Sequence, residues 1–187
     1  MLDGILKKSK KPILILAGFL LVAILLNYAV LELFEQKSFY RAAHSLVGII
    51  MLMGFVYTFS SKDTSRFKIL TLFLVALIPC YLGTVFSDLD IKFFGIGSHR
   101  NPVFHSGIVF FILLFVARRL KSFLPAAIIS AFGLGLGSHL VWDLFDRADV
   151  RWIPGGTLDS LWLGINGLLC ILLARTFLKS RFKKVES

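Results

Sequence analysis

The chain has 187 residues, 57% of them hydrophobic and 14% aromatic, with a mean hydropathy of +0.81. One water-soluble core of this length does not bury so much apolar surface, so an ordinary soluble domain is excluded and lipid is the expected solvent. The formal net charge of +10 does not point to nucleic acid, because the basic residues flank apolar blocks and do not line a soluble face; no nucleic-acid partner is expected.

A helix needs about 20 apolar residues to cross a bilayer. Six blocks of that kind follow one another, at residues 12–34, 40–60, 67–87, 103–117, 123–145 and 158–178. They predict an all-α, polytopic membrane protein with about six transmembrane helices, a single integral membrane domain over 1–187, and a basic tail at 179–187. The first block follows "LKKSKK"; its apolar run is too long for a cleaved signal peptide and reads as a retained anchor. The fourth block is the shortest. Cys80 and Cys170 fall inside apolar blocks, which predicts buried thiols and no disulfide.

Charge sets the expected orientation. With a cytoplasmic N-terminus, all the lysines and arginines lie inside except Lys37, Arg41, Lys92, Arg100, Arg147 and Arg151, the bias of the positive-inside rule. Both termini are then cytoplasmic, and all four histidines fall on the outer side.

Four stretches of chain carry imidazoles and carboxylates to that face. His44 lies near the start of the second block, and Asp88 and Asp90, in "VFSDLD", close the third. Two carboxylates one residue apart at a helix end can reach one cation, and they are equally an ordinary acidic helix end. "SHRNPVFHSG" follows, carrying His99, Arg100 and His105. Pro102 suits a helix start, so His105 is expected in the first turn of the fourth span, and Arg100 is placed either to clamp a phosphate or only to snorkel. "HLVWD" in the fifth block sets His139 and Asp143 at i, i+4, on one helical face about one turn apart. That spacing suits two ligands of one metal ion or a hydrogen-bonded pair. "FGLGLGSH" lies within the same span, where glycines permit close helix packing; a nucleotide loop would need a strand before it.

The ordered set "SDLD", "HRNPVFHS", "LGSHLVWDLF" and "RWIPGG" resembles the LexA-regulated, inner-membrane metal-dependent hydrolase family of bacteria over about residues 43–154. The resemblance implies metal-binding roles for His44, Asp88, Asp90, His99, His105, His139 and Asp143. It also suggests a distant similarity to zinc-dependent phospholipase C and single-strand nuclease enzymes. Ser87 stands where that family often has proline, and the two histidines of "HRNPVFH" are one residue further apart than in the family pattern.

The expectation is therefore a bacterial inner-membrane hydrolase with one or two divalent metal ions, zinc first among them, held on the extracytoplasmic face. Its substrate would be the phosphoester of a membrane lipid or lipid-linked molecule. Asp88 or Asp90 would serve as general base and Arg100 would stabilise the phosphate. Two competing expectations use the same residues: a metal-ion or proton carrier, and a non-catalytic membrane subunit.

Overall fold

The computed structural model describes residues 39–59, 64–95, 100–120, 122–145 and 156–186, with positions 150 and 153. The expected first span, His99 and most of the segment holding Arg147 and Arg151 lie outside these residues. Among the described residues all regular structure is helical: α1 (Phe39–Tyr57), α2 (Arg66–Phe86), α3 (Leu89–Phe94), α4 (Ile108–Ala117), α5 (Phe123–Phe145) and α6 (Thr157–Glu186).

Three of these helices are long and apolar enough to cross a membrane: α2, α5 and α6 through Phe182. This supports a helical membrane protein; of the six expected spans, the described residues show three of that length. The apolar stretches of α1 and α4, His44–Tyr57 and Ile108–Ala117, are shorter than 18 residues. α4 is short because its expected first turn is used otherwise. Asn101 O accepts from the N–H groups of Phe104 and His105, and Asn101 Oδ1 accepts from Val103 N–H. This turn is closed on itself, so the helical ladder begins only at Ile108. His105 accordingly sits on the turn before α4. At the other end of the chain, α6 continues to Glu186, because 179–186 holds mainly lysine, arginine and other helix-compatible residues with no glycine or proline to stop it.

α5 is the axis of the bundle and packs against α1, α2, α4 and α6. Its residues Gly133 to Leu140 are buried without interruption, more than two turns covered on every side, as expected of a central helix and not an amphipathic one. The glycines make this possible. A Cβ at Gly135 would run into the backbone carbonyl of Cys80, one at Gly83 into that of Phe132, and one at Gly137 would stand 2.7 Å from Gly167 O. Two helix backbones thus touch α5 on different sides, the close approach expected where small residues meet in lipid. The outward faces remain apolar: Leu74, Ile78 and Leu82 on α2, Ile112, Phe115 and Val116 on α4, and Leu161, Ile165, Leu168 and Leu172 on α6 are all exposed. Recurring at three- and four-residue intervals, they form the surface a hydrocarbon solvent would cover.

Candidate metal centre

The helices alternate in direction, so one end of the bundle collects the start of α1, the end of α2, the turn before α4, the end of α5 and the start of α6. His44, Asp90, His105, His139 and Asp143 converge there, each less than one-tenth exposed.

Asp143 is the hub. His44 Nε2 lies 3.0 Å from Asp143 Oδ1, while His139 Nε2 and His105 Nε2 lie 3.4 and 3.6 Å from Oδ2. The His44 and His139 rings are 4.2 Å apart between centroids. His44, His139 and Asp143 offer ligand atoms that all lie within 4.8 Å of one another, a group that could hold a metal ion.

The surroundings fix which ring nitrogen is available. His139 Nδ1 is 2.6 Å from Thr84 O. A carbonyl only accepts, so Nδ1 carries the proton and the neutral ring turns the lone pair of Nε2 towards Asp143. That carbonyl is spare because Thr84 sits in the last turn of α2, where helical C=O groups lose their partners; the N–H of Asp88, its i+4 residue, donates to Val85 O. His105 is held in a similar way, with Nδ1 3.4 Å from Asp90 Oδ2, an oxygen that also accepts from Asn101 N–H at 3.0 Å. A histidine whose second nitrogen is backed by a carbonyl or carboxylate has the usual arrangement of a metal ligand.

The spacing can be weighed against simple hydrogen bonding. Hydrogen bonds involving nitrogen and oxygen centre on about 2.9 Å and fade beyond about 3.2 Å, and only the His44 contact falls in that range. Adjacent ligands of a tetrahedral zinc ion with bonds of about 2.0–2.1 Å stand about 3.3 Å apart, and the three observed separations bracket that value. A buried carboxylate ringed by three imidazoles also needs positive charge beside it, which either a cation or a protonated ring supplies. The residues present fit a divalent metal with nitrogen and oxygen ligands.

The remaining expected residues fall around this core. Asp88, half-buried at the residue before α3, is within electrostatic reach of His139. Asp90 backs His105. Arg100 is half-buried and adopts the left-handed conformation, φ 67°, which costs an L-residue about 1–2 kcal/mol and swings the chain into Asn101. His99 lies outside the described residues.

The sequence left unassigned the two residues that hold the His105 turn from behind. Trp162 Nε1 donates to His105 O at 2.9 Å, and Asn166 Oδ1 accepts from Gly107 N–H at 3.0 Å, while Asn166 Nδ2 donates to Trp162 O. The available signal was an asparagine in an apolar span, four residues after a tryptophan. Ser87 adds a third tie, its hydroxyl donating to Phe104 O. Ser138, next to His139, spends its hydroxyl on Gly135 O and is not posed as a nucleophile.

No family model, curated protein or solved structure matches the chain.

Proposed function

We propose that the chain is a membrane-embedded, metal-dependent hydrolase of phosphoesters, its site built at one end of a helical bundle and its substrate a lipid or lipid-linked phosphate. The observation that carries this reading is the convergence of three imidazole Nε2 atoms on Asp143, two of the rings backed from behind by Thr84 O and Asp90. The ordered motifs that resemble the LexA-regulated metal-dependent hydrolases support the same reading. So does the nature of the bundle interior below the site, where Leu134, Ala131 and Ala127 of α5 are buried with Ser130 as the one polar side chain of that helix between Phe123 and Ser138, too few polar groups on α5 for a carrier's path. In this reading the flanking apolar segments complete about six spans, both termini are cytoplasmic, and the site faces outward from a bacterial inner membrane.

His44, His139 and Asp143 would hold the ion, with His105 completing the set, and zinc is the metal the donor types favour. Such an ion supplies Lewis acidity towards a phosphoryl oxygen and towards water. The protein does the rest. Thr84 O and Asp90 fix the ring orientations. Arg100, on the turn that leads to His105, would bind the substrate phosphate. Asp88, more open to solvent than Asp90, would accept the proton that the attacking water gives up as its oxygen bonds to phosphorus, and return it to the alkoxide released when the ester P–O bond breaks. Location at the interface lets a lipid present its headgroup while its chains stay in hydrocarbon.

The test is elemental analysis of detergent-purified protein, wild type beside His139→Ala/Asp143→Ala, followed by a phospholipid hydrolysis screen. Near-stoichiometric zinc that is lost in the variant, together with phosphoester cleavage by the wild type alone, is expected. No metal in either protein after zinc is added back would overturn the reading.

A further inference from the structure

The opposite end of the bundle carries a second polar feature that the metal centre does not use. His139 and Phe123 are 16 residues apart on α5, about 24 Å at 1.5 Å per residue. Beside Phe123 stands Phe182 of α6, with the rings 5.8 Å apart. At this level α4 ends and α6 passes it, and Arg181 Nη2 donates to Arg118 O at 2.8 Å. The two helices leave between them a groove of about 380 Å³ lined by Arg118, Leu173, Thr176, Phe177, Ser180 and Arg181.

Three observations define what fits there. First, the groove is cationic: Arg118 and Arg181 line it, Arg119 follows Arg118 in the chain, and Asp88, Asp90, Asp143 and Asp159 all belong to the other end of the bundle. Second, its hydroxyls are already spent as donors. Thr176 donates to Leu172 O and Leu173 O, and Ser180 to Phe177 O, so the free hydrogen-bonding capacity is guanidinium N–H. Arg181 Nε is buried with no hydrogen-bond partner, and the guanidinium is seated over the Phe177 ring at 5.4 Å, which fixes its plane. Third, the walls above the groove are bare hydrocarbon: Phe115 and Val116 of α4 and Leu168, Leu169 and Leu172 of α6 are all exposed.

We infer that this groove binds an anionic phospholipid, its phosphate between Arg118 and Arg181 and its acyl chains along the apolar faces of α4 and α6. The guanidinium pair supplies planar N–H donors suited to phosphate oxygens. The apolar walls distinguish a lipid from a soluble anion, which has no use for them. A basic pocket between helices at one end of a membrane bundle is a recognised setting for acidic headgroups. The groove lies about one hydrocarbon thickness from the metal centre, so this site stands whether or not the chain is a hydrolase.

The experiment uses the full chain in detergent with phosphatidylglycerol or phosphatidylcholine added, and native mass spectrometry to count retained lipids. Arg118→Gln is the first variant, because the carbonyl that Arg181 bonds is backbone and survives the substitution; Arg118→Gln/Arg181→Gln is the second, with thermal unfolding as the check on folding. A cationic side chain at an acidic headgroup contributes about 5-fold in affinity. The wild type is expected to retain phosphatidylglycerol over phosphatidylcholine, the single variant to lose about 5-fold and the double variant about 25-fold. Equal retention of the two lipids by the wild type, or undiminished phosphatidylglycerol binding by a folded double variant, overturns the proposal. Displacement of the bound lipid by millimolar inorganic phosphate also overturns it, by assigning the groove to a soluble anion.

Discussion

Replacing Asp90 by asparagine separates a metal centre from a merely polar cluster. Asp90 is fully buried and its Oδ2 lies between Asn101 N–H at 3.0 Å and His105 Nδ1 at 3.4 Å. Asparagine keeps the shape and an acceptor oxygen, so the turn keeps its backbone bond and the fold is expected to survive. What changes is the partner of His105, since a carboxylate that makes the ring a stronger donor to a cation becomes a neutral amide. A hydrogen bond to a charged group is worth about 1.5–3 kcal/mol against about 1 kcal/mol for a neutral one, so the exchange costs the bound state about 0.5–2 kcal/mol. That corresponds to about a 2- to 30-fold loss of affinity, overlapping the roughly 10- to 100-fold found when groups behind metal ligands are removed. The assay is zinc titration of metal-stripped protein against a competing chelator. Asp90→Asn should bind zinc about 10- to 30-fold more weakly, and Asp143→Asn should lose measurable binding. If Asp90→Asn stayed within about 2-fold of the wild type while Asp143→Asn lost zinc, His105 would not belong to the coordination set. If Asp143→Asn itself bound normally, the cluster would not be the metal site at all.

Gly135→Ala places a methyl group against the Cys80 carbonyl; forcing α2 and α5 apart should cost about 1–3 kcal/mol and lower the melting temperature by several degrees, with zinc affinity falling as Thr84 O withdraws from His139. An unchanged melting temperature would mean that the two backbones are not in contact. Trp162→Phe keeps an aromatic, though smaller, side chain and removes the donor to His105 O, and the orphaned buried carbonyl should cost about 1–3 kcal/mol, which Asn166→Ala should match by orphaning Gly107 N–H. Both are read by thermal unfolding, where no shift in either would show the turn to be held by other contacts. Cys80 and Cys170 are free and fully buried, so a water-soluble maleimide should label neither in the folded protein and both after denaturation; labelling of the native chain at either position would contradict the packing around α5.

The reading from sequence was strongest where one segment carries the whole signal. His139 and Asp143 share a helical face by spacing alone, and the glycine run before them reads as a packing surface because its residues are small and lie in an apolar block. It was weakest where the deciding partner comes from elsewhere in the chain. Nothing local to "NPVFHSG" shows that Asn101 closes a turn on itself, so His105 is expected in the first turn of a helix that in fact begins three residues later. Nothing in "SLWLGING" shows that Trp162 and Asn166 reach back to that turn. Helix length was over-read for a related reason: an apolar run in sequence does not distinguish helical residues from the turn 103–107, which is apolar at Val103 and Phe104 yet not helical. Asp88 and Asp90 look equivalent in sequence, and only the packing of α3 buries one of them and leaves the other half open.

The clamp formed by Trp162 and Asn166 also orders events in time. His44, His139 and Asp143 all precede α6 in the chain and can meet as soon as α5 inserts beside α1. His105 is synthesised before the last two of these, and Ser87 and Asp90 already hold its turn, but two further ties, from Trp162 and Asn166, arrive only with α6. A nascent chain halted after α5 would thus hold three of the candidate ligands and a partly fastened fourth, and docking of α6 would act as the latch that finishes the site. On the proposed metal-binding reading, an ion captured early in biosynthesis would sit in an incomplete shell until that helix emerged, and maturation of the centre would proceed in two stages set by the order of the helices.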